Sequence, residues 1–153
     1  MKLYLETTVP SFLFADDAPE KQEVTRQFFK WLAISPDQLY ISELVLAELN
    51  RASLAVREKL LEAVARLPVE NLSISDEAVA LAGRDVADGV IPARYRDDAL
   101  HVALAVLNNL DVVVTWNMKH LANVRRIDGI NRTNAGLRLP LIRIHTPEEV
   151  IEL

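Results

Sequence analysis

The chain has 153 residues, half of them hydrophobic, with four Gly, seven Pro and no Cys. That length suits a single domain over residues 1–153 with a real apolar core, and it excludes disorder, disulfides, thiolate nucleophiles and Cys-based zinc sites. The net charge of −5 argues against a uniformly nucleic-acid-binding surface.

Lys2–Leu5 reads as a first strand, and Ala18–Ala33 as a helix stopped at Ser35-Pro36. Gln38–Ile41 is a second strand. Ser42 caps a helix to about Arg51, and Ala52–Arg66 continues helical to Pro68. Asn71–Ile74 reads as a strand, with Ser75 capping a helix that ends near Gly89. Asp97–Asn109 is a helix apolar almost all round, hence buried. Asp111–Thr115 is a β-branched, buried strand, after which Asn117 caps a short helix, Met118–Ala122. Leu141–Ile144 is a last strand, and Thr146-Pro147-Glu148-Glu149 combines a capping box with Pro at the first helical position.

Alternating strands and helices predict an α/β sandwich around a parallel sheet, with ligands bound beyond the carboxyl ends of the strands. No targeting signal is expected, since Met1–Phe14 carries Glu6 and Pro10 within its apolar stretch. The run Ala99–Leu107, broken by His101, falls far short of the ~20 residues of a membrane span.

Glu6 directly follows the first strand, and Asn117 lies two residues beyond the strand ending at Thr115. Glu48 stands three or four residues from Leu44, Val45 and Ala52, on the apolar stripe of its helix. Asp98 opens the most buried helix, where a cap-like role is the simpler reading. Singly these residues have ordinary explanations. Together they gather acids at one rim, where two like charges ~4 Å apart repel by ~4 kcal/mol at an effective dielectric of ~20. A hard divalent cation removes that cost, and oxygen ligands suit Mg²⁺ or Mn²⁺ rather than zinc. Thr7 and Thr115 carry hydroxyls near the same rim.

Between residues 119 and 143, Lys119, Arg125, Arg126, Arg132, Arg138 and Arg143 stand against Asp128 alone, a local charge of +5. From charge alone a solvated face is the simpler reading. Lys119, Arg125 and Arg126 are nevertheless candidate phosphate contacts. His120, three residues after Asn117, lies near the same rim and is a candidate substrate contact. His101 reads as a hydrogen-bonded core residue, with a supporting role beside Asp98 as the alternative. Trp116 reads as packing under the strand end rather than stacking on a base. No two His have zinc-ligand spacing.

The segments Leu3-Tyr4-Leu5-Glu6-Thr7-Thr8, Ile41-Ser42-Glu43-Leu44-Val45-Leu46-Ala47-Glu48, Asp97-Asp98-Ala99-Leu100-His101-Val102-Ala103 and Val114-Thr115-Trp116-Asn117-Met118-Lys119-His120 resemble PIN-domain proteins in order and rough spacing. They are most similar to the branch grouped with VapC-type toxins of toxin–antitoxin pairs. The resemblance implies a three-layer α/β/α sandwich with a central, mainly parallel sheet. It also implies metal-dependent cleavage of single-stranded RNA, leaving a 5′-phosphate and a 3′-hydroxyl. Glu6, Glu48, Asp98 and Asn117 match the family's four site positions, the first three as ligands of Mg²⁺ or Mn²⁺, with Asp97 beside them. The usual first and fourth residues are Asp, so Glu6 is one methylene longer and Asn117 lacks a charge. A cognate antitoxin and a homodimer are expected on the same ground, and a cytoplasmic location from the absence of Cys. The competing reading is an impaired module of the same fold that acts by binding. A phosphotransfer domain lacks its Asp-x-Asp at strand one, and a nucleotide binder lacks any glycine-rich phosphate loop.

Overall fold

The computed structural model describes residues 1–153. Five strands form one all-parallel sheet: β1 (Lys2–Leu5), β2 (Gln38–Ser42), β3 (Val69–Leu72), β4 (Val112–Val114) and β5 (Arg143–His145), in the order β3-β2-β1-β4-β5. Parallel strands need crossovers, and seven helices lie in them: α1 (Thr8–Ser11), α2 (Pro19–Ile34), α3 (Glu43–Leu49), α4 (Leu54–Ala65), α5 (Asp76–Ala87), α6 (Arg96–Leu107) and α7 (Val124–Gly136); an eighth, α8 (Pro147–Ile151), follows the last strand. The chain steps outward from β1 to β3, then returns to β4 and steps the other way. Right-handed crossovers therefore place α1–α4 on one face and α5–α7 on the other. Accordingly α5 packs along α6 and touches α7, while α8 returns to pack on α2. The three-layer α/β/α expectation holds.

The core follows from the strand sequences. Val112, Val113 and Val114 are fully buried, as a strand covered on both faces requires. The α6 helix buries Ala99 and His101 through Val106, in keeping with its all-round apolar sequence. Serines cap α3 and α5: Ser42 accepts from Val45 N–H at 3.3 Å and Ser75 from Ala78 N–H at 3.1 Å. Thr146 and Glu149 make the expected capping box at α8.

Several boundaries differ from expectation. The chain does not run helical from Ser42 to Arg66 but breaks between α3 and α4. There Asn50 Nδ2 bonds back to Leu46 O, and Arg51 and Ala52 make tightened bonds to Glu48 O and Leu49 O. The β3 strand begins two residues early, because pairing with Leu39–Ser42 takes Val69–Leu72, while Ile74 N–H goes to Glu43 Oε2. The β5 strand begins two residues late, since Leu141 is exposed and Arg143 is the first residue paired with β4. Met118–Leu121 is a turn rather than a helix. Helix α7 was not anticipated.

Buried Asp85 on α5 has an Oδ1 with no hydrogen-bond partner. Burial pushes its pKa up to about 6; the neighbouring Thr133 hydroxyl opposes this and the Asp88 charge adds to it. A carboxylate raised in the fold stabilises fully below its unfolded value near 3.8, and that contribution is lost as pH rises through about 6. The stability of Asp85→Asn relative to the parent should therefore climb by ~2–3 kcal/mol between pH 4 and pH 7.5. Chemical denaturation across that range checks it; a constant difference contradicts it.

Candidate functional site

The sheet order reverses between β1 and β4, so their carboxyl ends diverge into the crevice where open α/β sheets bind ligands. Glu6 leaves β1 there, its N–H held by Val114 O at 3.0 Å. Its side chain is buried, and Oε2 accepts from Thr8 N–H (3.1 Å), Thr8 Oγ1 (2.5 Å) and Thr115 Oγ1 (2.8 Å). The two hydroxyls are themselves fixed: Thr8 Oγ1 accepts from Trp116 N–H, and Thr115 Oγ1 accepts from Asn117 N–H, each at 2.9 Å. Glu6 Oε2 is thus clamped by the ends of both central strands, which leaves Oε1 to face the crevice.

Glu48 reaches the same crevice from α3, half-buried. Its Oε1 accepts from Thr7 Oγ1 at 2.9 Å and makes a short hydrogen bond to His101 Nε2. His101, fully buried on α6, also has Glu6 Oε1 3.9 Å from that nitrogen. Its other nitrogen, Nδ1, lies 2.7 Å from the Tyr4 hydroxyl, which lies 2.7 Å from Ser42 Oγ, the α3 cap. Burial alone would lower the imidazole pKa. The Glu48 hydrogen bond and the Glu6, Glu48 and Asp98 charges outweigh it and raise the pKa. Burial acts on Glu48 in the opposite sense and is likewise overcome, chiefly by His101, so its pKa is lowered. The two opposed shifts favour the charged forms of both partners. Through Nδ1, Tyr4 and Ser42 the hydrogen bonds continue as one chain joining α6, β1, β2 and α3.

Asp98 stands in the first turn of α6, partly buried. Burial first, then the Glu6 and Glu48 charges, push its pKa up to about 6, against the opposing His101 charge and Asn117 bond. Asn117 Nδ2 donates to Asp98 Oδ2 at 3.2 Å, while its Oδ1 accepts His120 N–H at 3.0 Å. The Asn117 oxygen thus secures the Met118–Leu121 turn, where the sequence suggested a helix cap, and its nitrogen faces the carboxylate.

The crevice therefore gathers Glu6, Glu48, Asp98 and Asn117 with Thr7 and Thr115. Asp97 is exposed and takes no part in this network. His120 joins through its backbone. Lys119 is exposed, whereas Arg125 and Arg126 line a separate cleft on α7. Trp116 is buried, donating Nε1–H to Thr25 Oγ1 at 2.9 Å, which removes it as a base-stacking surface. Sequence reasoning missed Thr8, although a hydroxyl two residues after Glu6 is a turn signal. It also missed Tyr4 and the pairing of His101 with Glu48.

No ready-made metal site is formed: no three His, Asp or Glu side chains stand in ligand geometry. The donor chemistry nevertheless fits a hard cation. Each carboxylate keeps one oxygen that no protein donor reaches: Glu6 Oε1, Glu48 Oε2 and Asp98 Oδ1. Burial, with the Glu6 and Glu48 charges adding to it, raises the Asp98 pKa against the opposing His101 charge, which is the setting a cation would relieve.

No family model and no curated protein matches the chain. Solved structures do. VapBC2 from Rickettsia felis, solved bound to a promoter DNA fragment, is 17% identical over 95% of this chain and 98% of that chain, with a TM-score of 0.60. VapBC-1 from nontypeable Haemophilus influenzae is 15% identical over 97% and 99%, with a TM-score of 0.61. VapC20 from Mycobacterium tuberculosis, a toxin that cleaves the sarcin-ricin loop, is 14% identical over 72% and 86%, with a TM-score of 0.54. The chain shares its fold with these structures.

Proposed function

We propose that this protein is a metal-dependent endoribonuclease that cleaves single-stranded RNA and serves as the toxin of a toxin–antitoxin pair. The observation that carries the reading is the trio of carboxylates at the β1–β4 crevice, each with one oxygen that accepts no hydrogen bond from the protein. The solved structures of like fold, one of them an RNA-cleaving toxin, point the same way.

Glu6, Glu48 and Asp98 are the residues that would hold Mg²⁺ or Mn²⁺. When bound, the ion supplies compensation for phosphoryl charge and a lowered pKa for water. Thr8 and Thr115 fix which Glu6 oxygen faces the crevice. His101 and Thr7 fix the Glu48 rotamer, and Asn117 orients Asp98. Such restraint matters because the reacting geometry must be held within a fraction of an ångström. The antitoxin partner and the homodimer are proposed on the likeness to the VapBC complexes. No helix is long and apolar enough to cross a membrane.

The test is cleavage of mixed single-stranded RNA with Mg²⁺, with Mn²⁺ and with EDTA. Cleavage in both metal arms and none in EDTA is expected; cleavage undiminished by EDTA contradicts the reading.

One observation favours a second reading, an impaired module that binds without cutting: Asn117 gives the site an amide where a fourth acid is usual. Asn117→Asp replaces a donor to Asp98 with a like charge. It should lower stability in EDTA by ~1–2 kcal/mol and gain more stabilisation from Mn²⁺ than the parent does. If the parent is inert and Asn117→Asp cleaves, the second reading holds; if both cleave, the first does.

A further inference from the structure

The Met118–Leu121 turn and the start of α6 meet through a pair of rings. Tyr95 and His120 stack with centroids 3.8 Å apart at 28°. The Arg94 guanidinium lies 4.9 Å from the Tyr95 centroid. Both rings are part-exposed and Arg94 is exposed, so the stack opens to solvent. Its position is set by the crevice: Tyr95 is three residues before Asp98, and His120 N–H is held by Asn117 Oδ1, whose amide nitrogen holds Asp98.

The surroundings are basic. Slight burial, then the Lys119, Arg126 and Arg94 charges, hold the His120 pKa below its usual value, so the ring presents a neutral π-face. Arg126 also lines a cleft of about 520 Å³ together with Arg125 and Arg132, which outnumber Asp88 and Asp128 on the same wall, so a net positive charge continues from the stack along α7. Arg126 is anchored there by a short hydrogen bond to Val90 O.

Flat rings beside guanidinium groups are what an unpaired nucleobase and its flanking phosphates require; in a duplex the base faces are already occupied. Resting on the RNA reading above, we infer that Arg94, Tyr95 and His120 form a stacking platform that holds one unpaired base of the RNA strand beside Asp98. Arg126 then leads the adjoining phosphate into the Arg-lined cleft. The platform is a positioning element: it selects single strands and sets which phosphodiester lies at the carboxylates.

Binding is measured in EDTA, where no cleavage occurs, by fluorescence anisotropy with a labelled RNA of about ten nucleotides. Parent, Tyr95→Ala, His120→Ala and Tyr95→Phe are compared, each first shown by thermal melting to be folded. The alanine variants should bind roughly 5- to 100-fold more weakly, and Tyr95→Phe like the parent. An abasic nucleotide at one position should weaken the parent similarly and leave Tyr95→Ala almost indifferent, an effect that a merely structural ring would not produce. Equal abasic penalties in parent and Tyr95→Ala, or parent-like binding by Tyr95→Ala, overturn the platform. If the parent also cleaves RNA with Mg²⁺, the nuclease reading survives that result. A parent that binds in a Tyr95-dependent way yet never cleaves loses the nuclease reading and keeps the platform. A parent that binds no RNA overturns the platform, and the cleavage assay with Mg²⁺ decides the nuclease reading separately.

Discussion

Replacing Asp98 with Ala is expected to reduce Mg²⁺-dependent RNA cleavage by on the order of 10³-fold, the equivalent of several kcal/mol of lost charge stabilisation. The metal-free fold should not suffer. The Asp98 pKa is raised to about 6, burial contributing most and the Glu6 and Glu48 charges adding to it. What Asp98 contributes to stability is therefore lost as pH rises through about 6. At pH 7.5 its carboxylate is a strain on the metal-free protein, and removing it should leave the melting temperature in EDTA equal to or above the parent's. The stabilisation conferred by Mn²⁺ should shrink at the same time. Asp98→Ala protein that cleaves as fast as the parent contradicts the proposed role, and one that is unfolded in EDTA contradicts the electrostatic account.

The second large effect is on stability. His101→Ala removes a buried imidazole, whose pKa its carboxylate neighbours raise, from between Glu48 and the Tyr4 hydroxyl. Breaking a buried pair by deleting one partner typically costs 3–5 kcal/mol. Glu48 is half-buried and keeps Thr7, and Tyr4 keeps Ser42, so the loss here should be about 3 kcal/mol. For a chain of this size that corresponds to a fall in melting temperature of about 6–12 °C. Glu48→Gln in the same background should add far less than it does alone, since its partner has already gone. Additive losses would show that the two side chains do not act as a pair.

Glu6, Asp98 and Glu48 were visible in the sequence for local reasons. Glu6 follows an apolar strand, Asp98 begins an all-apolar helix, and Glu48 interrupts an apolar stripe. What joins them is not local. Glu6 is clamped by Thr115, 109 residues away, and Glu48 pairs with His101 at a separation of 53. No periodicity carries such contacts. The imidazole could be read as a core residue or as a neighbour of Asp98, but not as the partner of Glu48 and Tyr4, because these lie on α3 and β1. The orientation of Asn117 likewise depends on His120 N–H, which depends on the turn that replaced the expected helix.

The fold shows the same division. Long segments with strong periods, α2, α5 and α6, were legible. Helix α7 was not, because its sequence is polar with Gly129 inside and only Ile127 and Ile130 to mark a stripe; its best signal was Asn123, which accepts Arg126 N–H at 2.9 Å. Edges β3 and β5 shifted by two residues since partner strands, not their own apolar content, decide where pairing starts. The basic run between 119 and 143 was legible as charge, but that Arg126 turns toward both His120 and the cleft required the structure.

The most direct measurement is Mn²⁺ binding by calorimetry at pH 7.5 to the parent, Glu6→Gln, Glu48→Gln and Asp98→Asn. A shared cation predicts saturable binding by the parent and a loss of at least about tenfold in each variant, because every charge removed comes from one site. Mn²⁺ binding that is absent from the parent, or unchanged in all three variants, would show that these carboxylates do not serve a common ion.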